Sequence, residues 1–278
     1  MRKPGNSIYA LWYVCTVGVT AILCILISCQ KVPLTKRNQL HLVPESQLQA
    51  LSYQEYDSLK ATSKTESNTP DAQMVNIVSA NIEKAVEVYM KSVNLSSRLK
   101  GFKWESHLFV DTQINAWCMP GGKIGVYTGI LPYTKNDTGM AVVLGHEISH
   151  AVAQHGDERM SELLLVNLGG IALAEALSKQ PQATRQLALA AFGLGAQVGY
   201  VLPYSRLQES EADRLGLIFM SMAGYDPHAA IPFWERMMNA SKGQAPPPFL
   251  SDHPTDASRI ANIRKLIPEA MKYYKKAT

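Results

Sequence analysis

Cysteine all but vanishes after the first 29 residues. The four cysteines are Cys15, Cys24, Cys29 and Cys118. Neither a disulfide framework nor a cysteine-held metal site can therefore be built downstream. Excess charge is also scarce. The net charge of +4 is small and dispersed over 278 residues, which excludes nucleic acid as an expected partner. The hydrophobic content of 46% allows one sizeable domain, or one domain with appendages.

What is present is concentrated in Val142-Val143-Leu144-Gly145-His146-Glu147-Ile148-Ser149-His150-Ala151-Val152-Ala153. The apolar flanks predict a helix. Residues four apart share one helix face, so His146 and His150 can hold one metal ion between them. Glu147 is placed to reach a water at that metal. Zinc is the expected ion, one per chain, because imidazole suits it and it brings no redox chemistry. The spacing excludes one class of zinc site. A metzincin needs Gly three and His six residues after the second histidine, and those positions hold Ala153 and Gly156. His155, one residue off, reads as a structural or outer-layer group.

The N-terminus reads as a targeting segment. Arg2 and Lys3 precede an apolar stretch from Ile8 to Ile27, which ends in Leu26-Ile27-Ser28-Cys29. That ending resembles a bacterial lipobox, with residues 1–28 as signal peptide and Cys29 as the lipid-attachment site; an uncleaved anchor is the alternative. Residues 29–70 are expected to form a lipid-attached linker, with some helix between 44 and 60. A core-facing helix is expected from about Asp71 to Met90. Strands are expected at Lys103–Asp111 and Lys123–Leu131, around the turn Pro120-Gly121-Gly122. His107 reads as a packed or surface histidine. Asn136-Asp137-Thr138 reads as the start of the His-Glu helix. Leu163–Leu177 and Leu187–Leu202 are expected to form a helical hairpin around Gln180-Pro181-Gln182. Its expected packing is within the protein or on a partner, with a membrane-facing flap as the alternative.

A catalytic zinc wants three protein ligands and one open position. Tyr204-Ser205-Arg206-Leu207-Gln208-Glu209-Ser210-Glu211-Ala212-Asp213-Arg214 heads an amphipathic helix. Glu209 and Asp213 share a face there, and Glu211 points elsewhere. Ser-Arg-x-x-Glu-x-x-Ala-Asp, some 60 residues after His-Glu-x-x-His, resembles metallopeptidase family forty-eight, which includes HtpX, the CAAX prenyl proteases and mitochondrial OMA. The likeness is strongest to its periplasmic lipoprotein members such as LoiP, YcaL and BepA, without the helical-repeat tail of the last. Asn115-Ala116-Trp117, Val126-Tyr127-Thr128-Gly129 and Ser251-Asp252-His253-Pro254 with Arg259-Ile260 are similar to segments of that subgroup.

The resemblance implies an α+β, mainly helical, gluzincin-like fold with an active-site helix and a small antiparallel sheet, occupying 71–278. It implies His146, His150 and Glu209 as zinc ligands and Glu147 as general base. Asp213 would be a proton donor or, more simply, a carboxylate that orients a ligand histidine. For His253, in a loop before Pro254, the alternatives are approach to the zinc as a resting-state ligand, packing near the C-terminal helix led by Asp256, or a hydrogen bond to the substrate or transition state. The implied activity is zinc-dependent endopeptidase of the bacterial cell envelope, lipid-anchored at the outer membrane and facing the periplasm. Unfolded or misassembled proteins are the expected substrates, taken up beside residues 123–131, and envelope assembly machinery is a candidate partner. A chaperone or assembly factor with a non-catalytic zinc is the alternative.

Overall fold

The structure is a computed structural model that describes residues 29–197, 202–240 and 245–275. Residues 1–28, the expected signal peptide, lie outside the described residues. The chain is mainly helical with a small mixed sheet. Its helices are α1 (Glu45–Thr62), α2 (Pro70–Ser92), α3 (Leu131–Thr134), α4 (Asp137–Val152), α5 (His155–Ala176), α6 (Gln182–Ala196), α7 (Leu202–Met222), α8 (Ala230–Ala240), α9 (Pro248–Asp252) and α10 (Ala257–Ala270).

The strands are β1 (Cys29–Lys31), β2 (Asn38–Leu40), β3 (Thr65–Glu66), β4 (Glu105–Phe109), β5 (Ala116–Met119) and β6 (Lys123–Tyr127). β1 and β2 form a separate antiparallel pair, and the main sheet runs β3-β4-β6-β5. β4 and β6 are parallel, with Leu108 opposite Val126, whereas β5 is antiparallel to β6, with Ala116 opposite Val126. This corrects the expected uptake edge. β6 is paired on both sides, and β5 forms the outer edge of the sheet. Four residues between two turns were too short to show a strand period.

α2 begins at Thr69, whose hydroxyl accepts from Ala72 N, with Pro70 in the first turn. Its buried stripe, Val75, Val78, Ile82, Val86 and Tyr89, packs on the His-Glu helix. That helix, α4, is capped by the Asn136 side chain accepting from Gly139 N. Every residue of α4 from Gly139 to Val152 is buried. Its amphipathic pattern is weak because protein surrounds it on all sides.

The closest helix crossing joins α4 to α7. A β-carbon on Gly145 would sit 2.8 Å from the Gly216 carbonyl oxygen, and one on Gly216 would sit 2.9 Å from His146 N. Only glycine lets these backbones meet. The crossing sets the two histidines of α4 against the carboxylates of α7.

Residues 29–66 are more than a tether. Gln39 Nε2 donates to the Ala153 carbonyl at 2.7 Å, and buried Arg98 donates to the same oxygen at 3.3 Å, so together they close the C-terminal end of α4. Arg37 lies between α5 and α7, bonding Glu158 and, at 2.8 Å, Glu211. Gln208 of α7 donates to Glu158 at 2.9 Å.

Gly216→Val is expected to lower stability by about 1–3 kcal/mol through overpacking at the crossing, and to weaken zinc binding by separating α4 from α7. Urea unfolding and zinc titration check this; normal zinc affinity in a folded Gly216→Val protein would show that the crossing does not set the site.

Candidate metal centre

His146 and His150 face α7 from consecutive turns of α4. Their Nε2 atoms are 3.1 Å apart. Glu209, in the second turn of α7's described part, places Oε2 3.3 Å from His146 Nε2 and Oε1 3.3 Å from His150 Nε2. His253, just past α9, brings Nδ1 to 3.1 Å from His146 Nε2 and 3.0 Å from Glu209 Oε1. All four residues are buried, and one ligand atom from each lies within 4.8 Å of the others. The structure thus gathers three of the sequence-derived candidates plus the loop histidine.

This donor set suits a cation. Imidazole lone pairs and a carboxylate converge on one point, where no proton arrangement satisfies them all. Burial drives His150 well below its ordinary pKa, which leaves it neutral with a lone pair to offer. Burial opposes ionisation of Glu209, but His150, His146 and His253 outweigh it and hold its carboxyl well below the usual range. Glu209 Oε2 is buried without a hydrogen bond of proper geometry. Three nitrogen donors and a carboxylate are the chemistry of a zinc site.

Glu147 lies beside the cluster, with Oε1 3.3 Å from His253 Nε2 and without a hydrogen-bond partner. Burial pushes its carboxyl up to about 7, with neighbouring His253 opposing and Glu209 adding to the rise.

A second layer surrounds the cluster. Asp213, one turn after Glu209, sets Oδ1 3.1 Å from His146 Nδ1. Burial would raise its carboxyl, yet Arg259 and His146 hold it below its ordinary value. Arg259 donates from Nε to Asp213 Oδ2 at 2.9 Å and from Nη2 to Oδ1 at 2.8 Å, and its guanidinium stacks 3.7 Å over the Trp234 ring. Its Nη1 also reaches the His253 and Pro254 carbonyls, at 3.1 and 3.0 Å.

On the other side, Gln154 adopts a left-handed backbone (φ 59°) and breaks the helix. That turn swings His155 back until its Nδ1 is 2.9 Å from His150 Nδ1. His155 Nε2 lies 3.2 Å from Glu211 Oε2, and Glu211 in turn accepts from Arg37. Glu211 points away from the cluster, as helical spacing predicts. Cys118 is free, and His107 of β4 bonds Tyr56 of α1 rather than joining the cluster.

Sequence reasoning did not assign Arg259 or Arg37 a part. A signal existed for Arg259. It lies four and eight residues before Ile263 and Ile267, on the apolar face of α10, where an arginine needs a buried partner. Arg37 carried no comparable pattern.

Residues 76–267 match the family description "Peptidase family M48". The chain belongs to this family. It is similar to the mitochondrial metalloendopeptidase OMA1 of Schizosaccharomyces pombe, 38% identical over 183 residues, 65% of this chain and 52% of that protein. The Saccharomyces cerevisiae protein of the same name is 36% identical over 202 residues, covering 70% and 56%. The beta-barrel assembly-enhancing protease of Escherichia coli is 31% identical over 182 residues, covering 62% and 36%. The chain therefore spans about half the length of the yeast relatives it matches. M48 peptidases are zinc-dependent, and the four-donor cluster fits one such ion.

The expected bacterial outer-membrane location is corrected here. The yeast, plant and mammalian relatives, which are mitochondrial by name, overturn it. A small residue and a cysteine closing an apolar run, as at Leu26–Cys29, is too short a pattern to fix a compartment.

His146→Ala, His150→Ala and Glu209→Ala should each lose zinc, whereas Glu211→Ala should keep it. Asp213→Asn should weaken zinc affinity by about 10–100-fold. Metal analysis of the purified proteins checks both; full zinc occupancy in Glu209→Ala would displace it as a ligand.

Proposed function

We propose that this chain is a zinc metalloendopeptidase that cleaves extended segments of unfolded or misassembled proteins. The observation that carries this reading is Glu147, a buried carboxylate beside the donor cluster whose Oε1 accepts no hydrogen bond of proper geometry and faces only His253 Nε2 at 3.3 Å. A structural metal has no use for such a group, whereas peptide hydrolysis needs a base there.

His146, His150 and Glu209 hold the ion, which when bound supplies a Lewis acid to the scissile carbonyl and acidifies water. Glu147 accepts a proton from the attacking water and passes it to the leaving amine. Asp213 fixes the ring of His146 through Nδ1, and Arg259 fixes Asp213. A substrate strand adds along β5, the sheet edge that packs against α4, so only a segment free of its own sheet can bind.

His253 covers both the donor cluster and Glu147 in this state, and we read it as a resting-state ligand that leaves when substrate enters. Arg259 steadies the loop through the two carbonyls it bonds. The same reading divides the chain into a membrane-targeting segment 1–28, the stretch 29–70 and a peptidase domain 71–278. Its membrane attachment is either the apolar segment itself or lipid on Cys29; palmitate label lost in Cys29→Ser would identify the lipid.

Glu147→Gln should keep zinc and lose roughly 10²–10⁴-fold in cleavage of casein or an unfolded peptide. Unchanged cleavage would sink the peptidase reading. His253→Ala should raise cleavage with zinc retained. A fall in activity at normal zinc content would eliminate the latch and leave His253 a catalytic role.

A further inference from the structure

α5 and α6 point their apolar side chains the wrong way for helices on a solvated surface. In α5 the exposed residues Met160, Leu163, Leu164, Leu168 and Ile171 recur every three or four positions, so they share one face. The opposite face of α5 is turned to α6, where Gly169 meets the Phe192 ring. α6 has no buried residue, and its Leu187 and Leu194 are 74% and 69% exposed. No charged residue occurs from Leu163 to Ala174 or from Gln186 to Gln197; Glu175, Lys179 and Arg185 collect around the turn. A solvated hairpin places charge on its outer face, and this one does not. Among the described residues nothing covers it.

The root of the hairpin is tied to the N-terminal end of the chain. Residues 8–27 carry no charge, and a run of this length suffices to cross a bilayer core of about 30 Å. They lead directly into β1, which pairs with β2. From β2 onward, Gln39 bonds Glu158, His41 bonds Asp157, and Leu42 N donates to Ser161 Oγ at 2.8 Å. All three partners lie in the first two turns of α5. A membrane that takes up residues 8–27 therefore stands next to the hairpin's base.

We propose that the outer face of the α5–α6 hairpin rests on the lipid bilayer that holds the N-terminal segment. The contact is interfacial and does not span. Each uncharged stretch of 12 residues is about 18 Å long as helix, short of the core thickness. Insertion tip-first would carry Glu175, Lys179 and Arg185 to the deepest point. Lying along the interface instead lets Lys179 and Arg185 reach headgroups while the leucines face acyl chains. No described helix is long and apolar enough to cross a membrane, which agrees with a surface-lying hairpin.

The test uses the unmodified full chain in phosphatidylcholine vesicles that contain a phosphatidylcholine with a diazirine on the acyl chain near the headgroup. After irradiation, mass spectrometry maps lipid adducts on tryptic peptides. Adducts on peptides from 160–176 and 182–197, in addition to those before Cys29, are expected. The α2 peptide carrying Ile77, itself 57% exposed, should stay at background. Labelling confined to residues before Cys29 overturns the proposal. So does cross-linking of hairpins from two copies without lipid label, which would make this face an interface between chains. Neither result depends on the peptidase activity.

Discussion

The donor cluster exists because two helices touch without side chains between them. Gly145 on α4 and Gly216 on α7 leave room for backbone against backbone. Histidine and glutamate side chains are short, and four donor atoms must converge on one ion. Wider helix spacing would leave Glu209 out of reach of His146 and His150. The apolar packing around the crossing, from Val143 and Ile148 on α4 to Leu215 and Phe219 on α7, stabilises a geometry that the glycines permit.

Around that crossing the fold stacks buried charge in ordered pairs. On one side Arg259 holds Asp213, and Asp213 holds His146. On the other, Arg37 holds Glu211, Glu211 faces His155, and His155 meets His150. His146 and His150 are thus each oriented through Nδ1, from opposite flanks. Burying this much charge is costly unless every member is paired. The turn between β1 and β2 supplies one of those partners, Arg37, so the surroundings of the donor cluster are completed by a residue far from it in sequence.

The sequence made the helical skeleton and the central chemistry legible, for identifiable reasons. His146 to His150 and Glu209 to Asp213 each span one helical turn, so spacing alone placed them on shared faces. Asn136 announced the start of α4 as a good cap should. The sheet was less legible. β5 has four residues, too few to show a strand period, and the parallel pairing of β4 with β6 joins segments that no local pattern links. The two arginines stayed unassigned because a buried arginine is recognised by its partners, and those partners are distant in the chain. β1 and β2 were hidden for the same reason: Gln39 and Arg37 are polar residues in a polar stretch, and only the fold shows that they close α4 and join α5 to α7.

Glu158 and Gln208 are 50 positions apart in the chain yet share a hydrogen bond, with Arg37 bracing Glu158 and Glu211. The segment between them leaves the body and returns to almost the same point. Closing a loop costs an entropy that grows only slowly with its length. The hairpin therefore behaves as a cassette plugged into a fixed socket. Its length and polarity can therefore change with little effect on the donor cluster, which the socket holds in position.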